Sequence, residues 1–516
     1  MRRILCGLVK TMPKTPRPAV DPDLSRLGRR AFISAASGAA VAWPLAAQPQ
    51  TTSPTGGGTT VPAIADSGIK PAQLIADFIV NFDLKTVPPI VTERARVAFI
   101  DTIGVMLGGS HHAPTDIVCE MIQLEGAAPT ATIAGRSLRA SPQLAALANG
   151  VSAHALDYDF TYFAGQAIAG LIPAILPVAE TMKSPPSEIL SAFIIGAEVC
   201  GKLAQSAPTL FRLANWHATG TIGTMAAAAA CARLMKAPKA TLPDIIGITT
   251  SLASGVTANF GTMTKPLHAG QAARNGILAV QLGMRGFTAS AAALEGRNGF
   301  YDNFARGLAQ SLEPFRDLAK RYALAEQGYR LKPYPSGGLG HTAIDAALEL
   351  RDSVALADIT HVEVAITRYA GRRYSARYPT TVEEAKFSGP YLAAYTLARG
   401  APMLPAFTEA ALHDAVVRDL ARKVSLTTYE EHADVLNDSP ARVTITLADG
   451  RKIERAKYHP TGSLQVPMTR ARIEEKFMTC ATTAIKPAAA QQLLALLNQL
   501  DTQKSSDGLW PLLAKS

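Results

Sequence analysis

The chain runs to 516 residues, enough for two to four domains and a large core, and its 48% hydrophobic against 18% charged residues exclude a disordered or fibrous protein. The net charge of +10 points to nucleic acid only until it is located: residues 1–30 hold eight basic residues against Asp21 and Asp23 and carry +6, residues 31–47 carry none, and +4 remains for the rest. Nucleic acid is thereby excluded as a partner.

Residues 1–47 have the layout of a twin-arginine export signal: Arg29-Arg30-Ala31-Phe32-Ile33 opens the modestly apolar run ISAASGAAVAWPLAA, which ends in small residues at Ala46-Ala47. Cleavage there starts the mature chain near Gln48, in a periplasmic or otherwise exported, oxidising setting. Residues 48–67, rich in Thr, Gly and Pro, form a linker that cannot pack a core. No later run is long and apolar enough to span a bilayer, so a soluble mature protein is expected. Cys6 leaves with the signal; Cys119, Cys200, Cys231 and Cys480 remain with no CxxC pair, and neither a metal site nor a catalytic thiol is expected.

From Ala72 to about Glu326 the sequence reads as successive helices. Val97, Ile100, Ile103 and Leu107 recur at helical spacing before Gly108-Gly109, and segments 144–156, 186–203, 223–235, 242–254, 269–285 and 303–312 have similar character. No strand alternation is visible among them, so residues 68–329 are expected to form an all-α domain. Within it, GVTANFGTMTKPLHAGQAARNG (residues 255–276) sets Lys265 and His268 three apart, with Pro266 between them. Pro266 is expected to turn the chain away from helix at Lys265. Two readings stay open for that stretch: a tight connection with its lysine in water, or a backbone that approaches a ligand. After Tyr329 the texture changes. HVEVAITRY (361–369) and ARVTITLADGRKIERA (441–456) alternate as strands, with Asp449-Gly450 as a hairpin turn and helical pieces at 383–398 and 408–421. Residues 330–459 therefore read as a smaller α+β domain, and helices at 470–479 and 487–500, within 460–516, are expected to rejoin the first domain.

Seven stretches in order, ERARVAFIDTIGVMLGG, ALANGVSAHALDYDFT, WHATGTIGTMAAAAACARLM, NFGTMTKPLHAGQAARNGILA, GFTAS with LEGRNGF, KPYPSGGLGHTAIDAALELR and AKFSGPY, resemble the MmgE/PrpD family over nearly the whole mature length. The resemblance implies a mainly α fold: a helical domain made of the N- and C-terminal parts, and a smaller α+β lid. It also implies a homodimer with the active site in the cleft. Relatives include 2-methylcitrate dehydratase, cis-aconitate decarboxylase and an iminodisuccinate epimerase, which act on small polycarboxylates without a required metal or organic cofactor. By position in the motifs, Asp157 is expected as an orienting acid or base, with Thr161 donating to a substrate carboxylate. His217 is the candidate general acid, and Lys265 neutralises a carboxylate and the charge that builds beside it. His268 assists or holds the loop, His341 follows an anion-cradling glycine turn, and Tyr374 stands for a proton-transferring tyrosine of the lid. Arg372 and Arg373 are read as solvated charges, and His154 as a packed or capping residue.

The departures are specific. Phe160, Tyr162, Gln166, Ala167 and Ile168 stand where the family pattern has an acid, a histidine and a His-Pro-Ser triplet, and Gly337 stands for a common cysteine. Gln166 hydrogen-bonds but moves no proton near neutrality. Two functions follow from the sequence: a cofactor-free lyase or isomerase of a small polycarboxylate, or a carboxylate-binding protein that lost proton transfer.

Overall fold

The computed structural model describes residues 68–163, 165–429 and 439–515, all within one compact unit spanning Thr60–Ser516. The export signal and the linker lie outside the described residues. Among the described residues no helix is long and apolar enough to cross a membrane.

Helices Pro89–Gly109, Pro142–Ala155 and Pro186–Ser206 each open on a proline, where a missing N–H costs nothing. Pro186–Ser206 packs with Thr264–Gly283, Leu171–Met182 and Leu242–Leu252 around Ile222–Leu234, whose alanine run is buried on nearly every side. Small residues let these helices come unusually close. A Cβ on Gly150 would meet the Gly270 Cα at 2.6 Å, so Pro142–Ala155 and Thr264–Gly283 touch backbone to backbone. Helix Arg470–Ala481 returns to Pro89–Gly109: Gly104 faces Phe477 and Gly108 faces Cys480, each near 3 Å from an added Cβ. The four cysteines of the described chain are buried and unpaired.

The expectation of an all-α domain before residue 329 is corrected. Strands β1 (Ala131–Thr132) and β2 (Arg139–Ala140) pair antiparallel inside the helix-rich part, Ala131 opposite Ala140. Glu180 fixes the ribbon, accepting from the Thr132 N–H at 2.7 Å and the Thr132 hydroxyl at 2.9 Å. Two-residue strands contain no alternation, so the sequence carries no strand signal there. The helix expected over 303–312 is also corrected: it covers only Phe300–Phe304, and Gly307 at φ +74° turns the chain away.

A second hydrophobic core lies under a four-stranded sheet of order β4-β3-β5-β6, with β3 (Ile359–Thr367) parallel to β4 (Val424–Tyr429) and antiparallel to β5 (Ala441–Leu447). β5 and β6 (Lys452–Lys457) form the hairpin expected at Asp449-Gly450, with Gly450 at φ +83°. Helices His341–Arg351 and Gly389–Arg399 pack on this sheet.

Candidate functional site

A cleft of about 810 Å³, measured out to its open mouth, lies between the helix-rich part and the sheet-bearing part. Three backbone pairings build it. Thr161 and Arg330 exchange N–H···O bonds at 2.8 and 2.9 Å; the His217 N–H donates to the Gly255 carbonyl at 2.9 Å; Gly337 donates to Lys386 at 2.9 Å.

Asp157 follows the end of helix Pro142–Ala155 at φ +50°, a left-handed conformation that aspartate tolerates better than most residues. The turn delivers its carboxylate to the cleft floor, where Oδ1 accepts from Lys265 Nζ at 2.7 Å, Lys332 Nζ at 2.9 Å and Gln166 Nε2 at 2.8 Å. Oδ2 is buried with no hydrogen-bond partner among the described residues. Burial works to raise the Asp157 pKa, but the Lys265 and Lys332 ammoniums outweigh it and hold the carboxyl well below the usual range. Lys332 itself is pushed down to about 8 by burial, with Asp157 opposing.

Lys265 donates also to His154 Nε2 at 2.9 Å, and His154 Nδ1 meets both oxygens of Asp159 at 3.0 Å. A neutral His154 with its proton on Nδ1 satisfies this pattern, giving one N–H to Asp159 and one lone pair to Lys265. Burial favours that neutral form. Two of the three Lys265 protons are thus engaged, and its Nζ lies 5.7 and 5.9 Å from the ring centres of Phe260 and Phe387. The expectation that Pro266 breaks the helix at Lys265 is corrected: the helix starts at Thr264, and Pro266 occupies its first turn, where a proline fits. Close approach at Gly150 and Gly270 then brings His154 of one helix to Lys265 of the other.

His217 lines the cleft with both ring nitrogens engaged. Thr219 Oγ1 donates to the Gln166 carbonyl at 2.7 Å and so accepts from His217 Nε2 at 3.0 Å; His217 Nδ1 then accepts from His268 Nδ1 at 2.9 Å. Burial, then Lys265 and His154, push the His217 pKa well below the histidine range, and burial pushes His268 down to about 4.

Of the residues expected from the sequence, Asp157, Thr161, His217, Lys265 and Tyr374 line the cleft, whereas His268 and His341 stand behind its wall. The Thr161 hydroxyl points toward the Arg330 carbonyl at a long 3.4 Å. His341 is fully buried at the start of its helix, with Nε2 on Ser336 at 3.2 Å; Gly338 and Leu339, just before it, reach the cleft instead. Tyr374 donates its proton in a short bond to the Gly337 carbonyl, and burial raises its pKa. A Cβ on Gly337 would sit 2.7 Å from that hydroxyl, so glycine at 337 and Tyr374 in this position go together.

Sequence reasoning missed four contributors. His154, read as packing, is a partner of Lys265; its signal was its place one helical turn before Asp157. Lys332 lies in the KPYPS motif but carries no separate mark. Arg330 lines the cleft, and so does Arg373, whose reading as a solvated charge is corrected: its guanidinium lies 5.5 Å from the Phe260 ring centre, while Arg372 is exposed. His154, Asp157 and Asp159 place one ligand atom each within 4.8 Å of one another, but the Lys265 ammonium already bonds both His154 and Asp157, so a cation is present at this cluster as a side chain.

The model of the MmgE/PrpD N-terminal domain matches residues 73–312, and that of the MmgE/PrpD C-terminal domain matches residues 334–502. The chain is similar to the cis-aconitate decarboxylase of Homo sapiens, 26% identical over 438 residues that cover 82% of this chain and 90% of that protein. It is likewise similar to the cis-aconitate decarboxylase of Mus musculus, 26% identical over 80% of this chain and 86% of that protein. The cis-aconitate decarboxylase of Aspergillus terreus is 25% identical over 85% of this chain and 95% of that protein.

Proposed function

Because the chain belongs to the MmgE/PrpD family, we propose that the cleft is the active site of a lyase that acts on a small polycarboxylate by decarboxylation or dehydration. The relatives named as cis-aconitate decarboxylases favour decarboxylation. In either reaction an electron pair develops on a carbon near a carboxylate, and the site must receive that charge. The observation that carries the reading is Lys265: a buried ammonium on the cleft wall, held by Asp157 and His154 with two of its three protons. In this reading the third N–H meets the substrate. Arg330 and Arg373 take further carboxylates, and Thr161 and Gln166 orient them. Asp157, kept ionised by two lysines, holds Lys265 charged and in place. For decarboxylation, the C–C bond to the departing carboxylate breaks, carbon dioxide leaves, and the electron pair stays on carbon until a proton from the Lys265 ammonium closes the reaction.

The test is NMR in deuterated buffer with the purified protein and citrate, 2-methylcitrate and cis-aconitate. Deuterium incorporation, a new olefin or released carbon dioxide is expected with one of them and is lost in Lys265→Ala. Silence from the unmodified protein with all three would sink the lyase reading. A second reading, carboxylate binding without turnover, is favoured by one observation: both ring nitrogens of His154 and of His217 are engaged within the protein. Calorimetric binding of these acids without chemistry would select it.

A further inference from the structure

The polar and the aromatic residues of the cleft are unequally accounted for. Asp157, Gln166 and Lys265 form one hydrogen-bonded floor, joined to Arg330 through the Thr161–Arg330 backbone pairing. The rings of Phe260, Phe387 and Tyr369 have cationic partners in Lys265 and Arg373. Phe163, Phe211 and Trp216 have no cationic partner among the described residues: Phe163 stands edge-on to Tyr162, Trp216 lies 4.6 Å from Phe304 between ring centres and Phe211 belongs to the hydrophobic core, yet all three also line the cleft. Phe163 and Trp216 flank adjoining pieces of chain: the Gln166 carbonyl accepts from Thr219, and a Cβ on Gly223 would meet the Ala167 carbonyl at 2.5 Å, so residues 165–167 lie against the 217–223 turn. Gly165 and Ala218 line the cleft as well, and a Cβ on Gly165 would meet nothing within 4 Å. Phe163 further adopts φ +54°, a left-handed conformation rare for a bulky side chain, and such outliers concentrate where a side chain is needed in one place. A bare, strongly hydrated polycarboxylate gains nothing from a dry aromatic wall.

We propose that the substrate carries an apolar substituent, a short alkyl chain or a phenyl-sized group, which seats on the Phe163, Phe211 and Trp216 wall while its carboxylates meet Lys265, Arg330 and Arg373. This rests on the polycarboxylate reading of the same cleft and narrows it: the wall selects substituted over unsubstituted acids.

The test titrates the full chain calorimetrically with succinate, methylsuccinate and benzylsuccinate. Benzylsuccinate is expected to bind at least about tenfold more tightly than succinate, with methylsuccinate between them. In Trp216→Ala, and separately in Phe163→Gly, which suits the left-handed backbone, the preference is expected to shrink to within about threefold. Equal or weaker binding of benzylsuccinate by the unmodified protein overturns the proposal, and so does a preference that survives both variants. The lyase reading fails or stands separately: chemistry on the unsubstituted acids without any benzyl preference leaves that reading intact and removes this one, whereas a benzyl preference without carbon-acid chemistry does the reverse.

Discussion

Lys265 with Asp157 and Lys476 with Asp101 are both buried ion pairs, at 2.7 and 2.6 Å, yet their surroundings differ in what they leave unused. Lys476 spends all three protons inside the protein, on Asp101 Oδ1, the Tyr158 carbonyl at 2.8 Å and the Lys332 carbonyl at 3.0 Å, and its ammonium lies 3.9 Å from the Tyr158 ring centre. Lys265 spends two and borders the cleft. The carboxylates differ in the opposite sense. Burial raises the Asp101 pKa although Lys476 opposes it, whereas Lys265 and Lys332 together drive Asp157 down against burial. One pair is closed and ties helix Arg470–Ala481 to the backbone on either side of the site. The other leaves one ammonium N–H at the border of the cleft. A buried ion pair by itself therefore says little about function; the count of engaged protons separates the two.

The largest effect that would sharpen this contrast is on turnover. Lys265→Ala is expected to lower the rate with any acid found active by about 10³-fold or more, as loss of a preorganised electrostatic group does. Its folding stability should fall less than that of Lys476→Ala, because Asp157 keeps Lys332 and Gln166 and water can enter from the cleft. Lys476→Ala strands Asp101 in the core and is expected to cost about 3–5 kcal/mol, read as a shift of the urea midpoint. If the two variants lose stability equally, the distinction between closed and open pair fails.

Acid titration probes the surroundings of the open pair next. His268 is held neutral in the fold with its pKa near 4, while an unfolded histidine binds a proton below about 6.5. The unfolded state then carries more protons between those values, so stability falls as pH drops through that window, by on the order of 3 kcal/mol for His268. His217 and His154 act with the same sign. Asp157 acts later: its depressed pKa contributes stability that is complete above about pH 4 and is lost below it. Urea unfolding across pH 7 to 4.5 should show a steep decline that His268→Asn flattens in part; a level profile in the unmodified protein would refute the neutral histidine pair.

Much of the scaffold was legible because it follows local periodicity: the helices over 89–109, 142–155 and 186–206 and the hairpin at Asp449-Gly450 carry their own signals. The β1–β2 ribbon was not, since its two-residue strands are specified by Glu180, distant in sequence. At the cleft, motif positions singled out Asp157, His217 and Lys265, but the partners that set their chemistry depend on contacts across the fold. His154 reaches Lys265 only because Gly150 and Gly270 let two helices touch, and Lys332 reaches Asp157 across 175 residues of chain. Arg373 looks like any surface arginine until the turn after β3 lays it over Phe260.

Gln166 offers the finest test of the open pair. Its side chain gives Asp157 Oδ1 a neutral third donor beside two ammoniums. Gln166→Leu removes one hydrogen bond to a charged acceptor and should weaken the site by about 1–2 kcal/mol, visible as a modest drop in turnover with little loss of fold. Gln166→Glu asks more of the same position. It sets a second carboxylate against Asp157, and two such groups sharing the lysines cannot both ionise freely, so one carboxyl must titrate upward. Turnover by Gln166→Glu should therefore acquire an acidic limb in its pH profile that Gln166→Leu lacks. If both variants keep the profile of the unmodified protein, the charge on Asp157 is not what holds Lys265 in its working state.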